Sequence, residues 1–155
     1  AGVADTLRII IRANCMKGQR KAALLMAKEE LREFQLADDK RGEAAMMLSL
    51  AEVCSEEMGT RNRDEAMKSA AEARTMLKQA KDPKMEASAC LVLADVHMKS
   101  AGYAMDEKKY FQSAFDAAKD AQNLFRDLGD RKGEAKALHA LAIACGNLGK
   151  LQDTL

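Results

Sequence analysis

The 155-residue chain has almost no charge imbalance: 25 Lys+Arg stand against 24 Asp+Glu, a formal net charge of +1. No global field therefore draws it towards nucleic acid or an anionic membrane, and no nucleic-acid partner is expected. Long hydrophobic runs are missing too. The aliphatic stretch from Leu7 to Ile11 is interrupted by Arg8, whereas a helix needs about 20 apolar residues to span a bilayer. A soluble chain with no direct membrane insertion is expected. Catalytic signatures are also lacking. There is no credible strand, no Gly-rich phosphate loop and no paired-His metal motif, and neither His97 nor His139 has a nucleophile and acid around it. No catalytic, cofactor or metal residue is assigned, no cofactor is expected, and the chain is not expected to be an enzyme. Cysteine is sparse. Cys15, Cys54, Cys90 and Cys145 lie in apolar helical stretches at no tight spacing. Buried thiols are the expectation there, not a disulfide framework, and they favour a reducing compartment such as the cytoplasm or an organelle interior.

What is present is a repeat. The stretch from Asp130 to Cys145 has weaker copies at Asp39–Cys54 and Asp82–His97, spaced by 48 and 43 residues. Aligned on the aspartate, Glu43, Glu86 and Glu134 coincide, as do the pairs Leu50-Ala51, Leu93-Ala94 and Leu141-Ala142. A helical pattern with such a period reads as stacked helix pairs. The first helix of each pair (A) carries an apolar stripe at i, i+3, i+4, i+7: Met47, Leu50, Ala51, Cys54; then Cys90, Leu93, Ala94, His97; then Leu138, Leu141, Ala142, Cys145. Its mate (B) carries small residues one turn apart and a large one further on: Ala23, Ala27, Phe34; Ala66, Ala70, Leu77; Ala114, Ala118, Phe125. Those small residues permit close helix approach.

Punctuation fixes the boundaries. An A helix over about 4–16 ends near Gly18, and its mate runs from about Lys21 towards Ala37. Asp39, Asp82 and Asp130 stand at N-cap positions, where a side-chain oxygen accepts first-turn amide hydrogens. Pro83 follows at a position where its missing amide hydrogen costs nothing, and Gly129 precedes Asp130 where a helix must end. Each B helix therefore hands over to the next A helix in two or three residues. Glu43, Glu86 and Glu134, in first turns, suit the positive end of the helix dipole, a folding role.

These residues resemble the tetratricopeptide-repeat family in a longer-period form, in which Gly-Asp-x-x-Gly-Glu-Ala opens each A helix. The match covers nearly the whole chain and is closest from Leu128-Gly129-Asp130 to Leu148-Gly149; repeat one departs most, with Ile10-Ile11 where Leu-Ala is expected. The resemblance implies an all-α, right-handed superhelical solenoid of about seven helices. It would be a single domain over 1–155, with repeats at about 4–38, 39–81, 82–129 and an incomplete 130–155. It further implies a concave groove lined by A helices that binds an extended peptide or a helix. By alignment the lining is Arg8 and Arg12, then Leu48, Glu52 and Glu56, then Leu91, Asp95 and Lys99, then Lys136, His139, Ile143 and Asn147. A mode of that family that clamps a C-terminal carboxylate is not expected, because Glu52 and Glu56 would repel it. The function implied is a non-enzymatic adaptor or scaffold with a protein or peptide partner. The alternative is a structural peripheral subunit or assembly factor within a larger complex.

Two further features complete the reading. Cys54, His97 and Cys145 share one aligned position, but equivalent positions on neighbouring helices lie about 8–10 Å apart, while zinc holds its ligands at ~2.3 Å. No zinc site is expected. Repeat three carries an insertion, Gly102–Ser113, that gathers Tyr103, Tyr110 and Phe111. It either projects as a second partner-binding surface or folds back over its own repeat, and Asp106-Glu107 marks an early helix start. Finally, Gly149–Leu155 reads as the opening of a B helix whose absence would leave Leu138, Leu141, Ile143 and Leu148 partly bare. The chain is expected to continue past Leu155, or that end to be covered by a partner or by self-association.

Overall fold

The computed structural model describes residues 2–56 and 59–152. It comprises, among them, seven α-helices and no strand: α1 (Val3–Met16), α2 (Arg20–Leu36), α3 (Lys40–Ser55), α4 (Thr60–Gln79), α5 (Pro83–Ala101), α6 (Glu107–Asp127) and α7 (Arg131–Gln152). None of these helices is long and apolar enough to cross a membrane. The chain divides into two compact units, Ala1–Asp82 and Pro83–Leu155, and the division falls at the Asp82-Pro83 step that separates two of the sequence repeats. In the first unit α1 packs on α2 and α3, α2 on α3, and α3 on α4; in the second α5 packs on α6 and α7, and α6 on α7.

The helices that precede the aspartate caps end where the punctuation places them. At the α2–α3 handover Asp38 adopts φ 52°, its amide hydrogen bonds Gln35 O at 3.2 Å and that of Asp39 bonds Phe34 O at 3.0 Å. The carboxylate of Asp39 then accepts from the Gly42 amide at 2.9 Å and opens α3. The α6–α7 handover repeats each step. Gly129 takes φ 66°, Asp130 N reaches Phe125 O at 2.9 Å, and the Asp130 carboxylate accepts from Gly133 N at 2.9 Å. The end of α4 is built alike, with Lys81 at φ 54° and Asp82 N bonding Leu77 O at 3.1 Å. A left-handed residue before each aspartate turns the carbonyls of the last turn towards donors that would otherwise be missing.

The glycine after each cap is a packing requirement. A Cβ on Gly42 would stand 2.6 Å from Cγ of Phe34, and one on Gly133 would stand 2.6 Å from Cγ of Phe125. α2 and α6 each lay their last aromatic ring on the first turn of the next helix, where only a bare backbone leaves room.

The cores follow the alternation of small and large residues. In the first unit Ala23, Ala27, Ala66, Ala70, Ala73 and Leu77 have no exposed surface, and α3 is covered on most of its sides, from Ala44 to Cys54. In the second unit Ala87 and Cys90 of α5, Ala121 and Phe125 of α6 and Ala137 of α7 form one cluster, with Leu91 and Leu124 packed against it. Burying aliphatic area contributes about 25 cal/mol per Å², and the alanine stripes let neighbouring helices bring larger side chains into that contact.

Candidate interaction surfaces

In the first unit Arg8 of α1 and Glu52 of α3 come together in an ion pair, Nη2 to Oε1, at 3.2 Å, with side chains only 18% and 29% exposed. The Nε of Arg8 is buried without a partner. Both charges were expected on a partner-binding face, and the structure uses them to join two helices. Arg12 is exposed and so is Glu56. Leu48 departs from the sequence expectation: its side chain is fully buried in the first unit. Alignment fixes the angular position of Leu48 on its helix but not the depth at which α3 sits.

The first unit is clipped at one end by Arg41 of α3. Its Nε donates to Asp82 at 3.0 Å, and its Nη2 to Asp5 at 3.3 Å. The hydrogen bond from the Gly2 amide, and then Arg41, hold the Asp5 carboxyl below its ordinary range against some burial. Burial and then Glu56 and Glu52 push the Cys15 thiol up, which makes it a weak nucleophile at neutral pH. An open depression of about 730 Å³ lies at the start of α2, lined by Gly18–Ala22 with Glu56 and Asn62.

In the second unit Leu91 is half-buried against the α5–α6–α7 cluster. Asp95 and Lys99 pair along α5 at 2.7 Å. Lys136, His139 and Ile143 are exposed on α7, while half-buried Asn147 donates from Nδ2 to the Ile143 carbonyl at 3.0 Å. The insertion divides its aromatics. Tyr110 folds back: its ring centroid is 6.0 Å from that of His97 at 60°, and both Tyr110 and Phe111 are half-buried. Tyr103 and Met105 stay out, 57% and fully exposed. Asp106 caps α6, accepting from Lys109 N at 3.1 Å. That helix begins seven residues before the first alanine of its buried stripe, Ala114, against six for α4 (Ala66) and three for α2 (Ala23). Burial holds the His97 imidazole below its ordinary titration range, and its Nδ1 is enclosed without a hydrogen-bond partner.

Among the described residues no group of three His, Cys, Asp or Glu could hold a metal ion, and none of the four cysteines lies in a disulfide. Cys54 and Cys90 are buried, Cys15 half-buried and Cys145 exposed, so one thiol departs from the buried expectation. The reason is the open side of α7, where Leu138, Ala142 and Cys145 are all exposed while Leu141 is buried. The turn expected at Gly149 does not form: α7 runs on through Gly149 to Gln152, and the remaining residues of the expected B helix, 153–155, lie outside the described residues.

Sequence reasoning missed a second apolar surface. Val3, Ile9, Ile10 and Met16 of α1 and Leu25 and Leu36 of α2 are exposed, several above 70%. The signal was the run Ile9-Ile10-Ile11: successive residues lie 100° apart on a helix, so one core cannot receive all three. Ile11 is buried and the other two face outwards. No family model matches the chain, and no curated protein matches it.

Proposed function

We propose that the chain is a non-enzymatic protein–protein interaction scaffold or adaptor, built from tetratricopeptide-like helix pairs stacked as a right-handed superhelix. The observation that carries this reading is the contrast between a repeated handover and an unrepeated surface. Two handovers, one per unit, share the same aspartate cap, bare glycine and aromatic lid. Meanwhile large apolar side chains stand exposed on α1, α2 and α7 beside charged residues. Isolated exposed hydrophobes are ordinary, but several on one helix pair mark contact surface. Of the residues aligned with a groove, Arg12 and Glu56 are exposed on the first unit and Lys136, His139 and Ile143 on the second, and Tyr103 of the insertion is exposed as well.

A fixed structural role is the second reading, favoured by the breadth of apolar surface on α1 and α2, including Val3 at 72%, Ile9 at 70% and Leu36 at 73% exposure. Affinity capture with cross-linking and mass spectrometry separates the two. Recovery of one stable stoichiometric complex, with cross-links to α1 and α2, selects the subunit reading. Micromolar capture of short peptides, weakened by Glu56→Lys with helicity unchanged, selects the adaptor. A chain that captures no protein under either condition refutes both.

A further inference from the structure

The third repeat spans 48 residues against 43 for the second, and its extra length falls between Leu93-Ala94 and the alanine stripe of α6. Glu107, Tyr110 and Phe111 precede Ala114 at helical spacings, so they prolong that stripe backwards by two turns. All three are half-buried, whereas Ala114, Ala118 and Ala121 have no exposed surface. The start of α6 is the loosely covered end of a helix that is otherwise firmly seated. Ahead of it the loop is tied by two backbone bonds, Tyr103 N to Ser100 O at 3.2 Å and Ala104 N to Ala101 O at 2.9 Å, while Tyr103 and Met105 stand out in solvent.

The end of α5 that this segment meets is poorly satisfied. The His97 ring lies against that of Tyr110, and its enclosed Nδ1 has no hydrogen-bond partner among the described residues. Three residues on, along the same side of α5, Ser100 is 4% exposed and its Oγ is likewise enclosed without a partner. Charges do not compensate. Glu107 and Tyr110 are the titratable groups on the facing stripe of α6, and Lys108 and Lys109 are exposed beside them. On α5 itself Asp95 and Lys99 pair with each other at 2.7 Å. From Ala137 to Gly149 α7 carries no carboxylate, lysine or arginine, and its His139 and Cys145 are exposed. None of these groups moves the titration of His97, which burial alone lowers from its ordinary 6.5. A proton on the ring would give Nδ1 a hydrogen to donate and no acceptor to take it, so the charged ring needs water.

We propose that residues 102–113 form an acid-released strap: when His97 takes up a proton, the loop and the first two turns of α6 leave α5, while the helix from Ala114 to Asp127 stays docked. The proposal stands apart from the scaffold reading, because it concerns contacts within the second unit alone. With the strap lifted, His97 is in water and binds its proton at the ordinary value, so the lifted form takes the proton first. The closed form therefore prevails above pH 6.5 and gives way below it. Release turns Tyr110 and Phe111 out to solvent and frees Tyr103 and Met105 from their fixed turn. Acidity thus decides which large side chains the second unit displays.

The test follows the full 155-residue chain from pH 7.5 to pH 5. Amide hydrogen exchange, expressed as protection factors so that the intrinsic effect of pH is removed, locates the opening. Protection over residues 103–113 should fall roughly tenfold between pH 6.5 and pH 5, while protection over residues 115–125 holds. The chain has no tryptophan and two tyrosines, so in Tyr103→Phe the tyrosine emission reports Tyr110 alone and should change over the same interval. In proton spectra the His97 imidazole should titrate with the midpoint of that change, and exposed His139 is the internal control. His97→Gln should keep the strap closed at pH 5. Equal loss of protection over residues 115–125 would overturn the proposal, because the whole helix pair would then be melting. So would protection or Tyr110 emission that stays constant or follows His139, and so would a His97→Gln chain that opens like its parent. Should His97→Gln fail to fold, agreement or disagreement between the His97 titration and the Tyr110 emission decides the matter without it.

Discussion

At Gly42 and Gly133 a missing side chain lets an aromatic ring lie on a helix backbone, so the smallest enlargement is a sharp probe. Gly133→Ala should destabilise by about 1–3 kcal/mol, the usual cost of overpacking, measured by chemical denaturation. Gly42→Ala should cost less, because Phe34 is half-buried and can turn outwards while Phe125 is 4% exposed within its cluster. Adding Phe125→Leu to Gly133→Ala should recover part of the loss. Independent additivity of the two changes would mean that ring and backbone do not meet. The positions corresponding to Phe34 and Gly42 in the middle repeat are Leu77 and Met85, a smaller residue paired with a larger one. Lys81 offers the opposite change: it is exposed with φ 54°, a region costly for a residue with Cβ. Lys81→Gly should therefore stabilise by about 0.5–1 kcal/mol once the glycine's own entropic cost is offset. The aspartate caps were legible because N-caps need particular side-chain chemistry. The need for Gly42 was not, since nothing local says which ring will arrive above it.

Between α5 and α6 the contact of His97 with Tyr110 gives that helix pair a dependence on pH. The imidazole is neutral in the folded chain below its ordinary value of 6.5, and charging it would place a second N–H donor at an enclosed Nδ1 with no acceptor. The unfolded chain therefore binds the proton first, and stability is full above pH 6.5 and falls on acidification from there towards the lowered native value. Melting temperature followed from pH 7.5 down to about pH 5 should decline, and His97→Gln should flatten the decline. A parent and a variant with the same slope would remove His97 from the cause. Asp5 acts in a lower window: its depressed carboxyl contributes above its ordinary 3.8, and that contribution is lost as pH falls below it. On α4 and α6, Ala70 and Ala118 have no exposed surface, and Ala70→Leu or Ala118→Leu should each cost about 1–3 kcal/mol in thermal melts. Helix order and boundaries were legible because period, caps and breakers are local signals. Lateral depth is not local, which is why Leu48 was placed in a groove and is buried, and why Glu52 was read as free when Arg8 takes it.

At the scale of the chain, the division at Asp82-Pro83 and, within each unit, the packing of the described helices on neighbours one or two places along the sequence concern time as much as space. Contacts between nearby segments close short loops, and such topologies fold in microseconds to milliseconds, far faster than sheets that join distant strands. Stopped-flow refolding from denaturant should show its main phase within about 10 ms, and a phase lasting seconds would point to an ordering step outside this local pattern. During synthesis, at about 5–20 residues per second, residues 1–82 need only the chain already made to bury Ile11 and the α2 and α4 alanines. Their condensation is complete, on that clock, seconds before Phe125 has a Gly133 to rest on. The nascent chain thus never has to hold its first apolar faces open while waiting for its last.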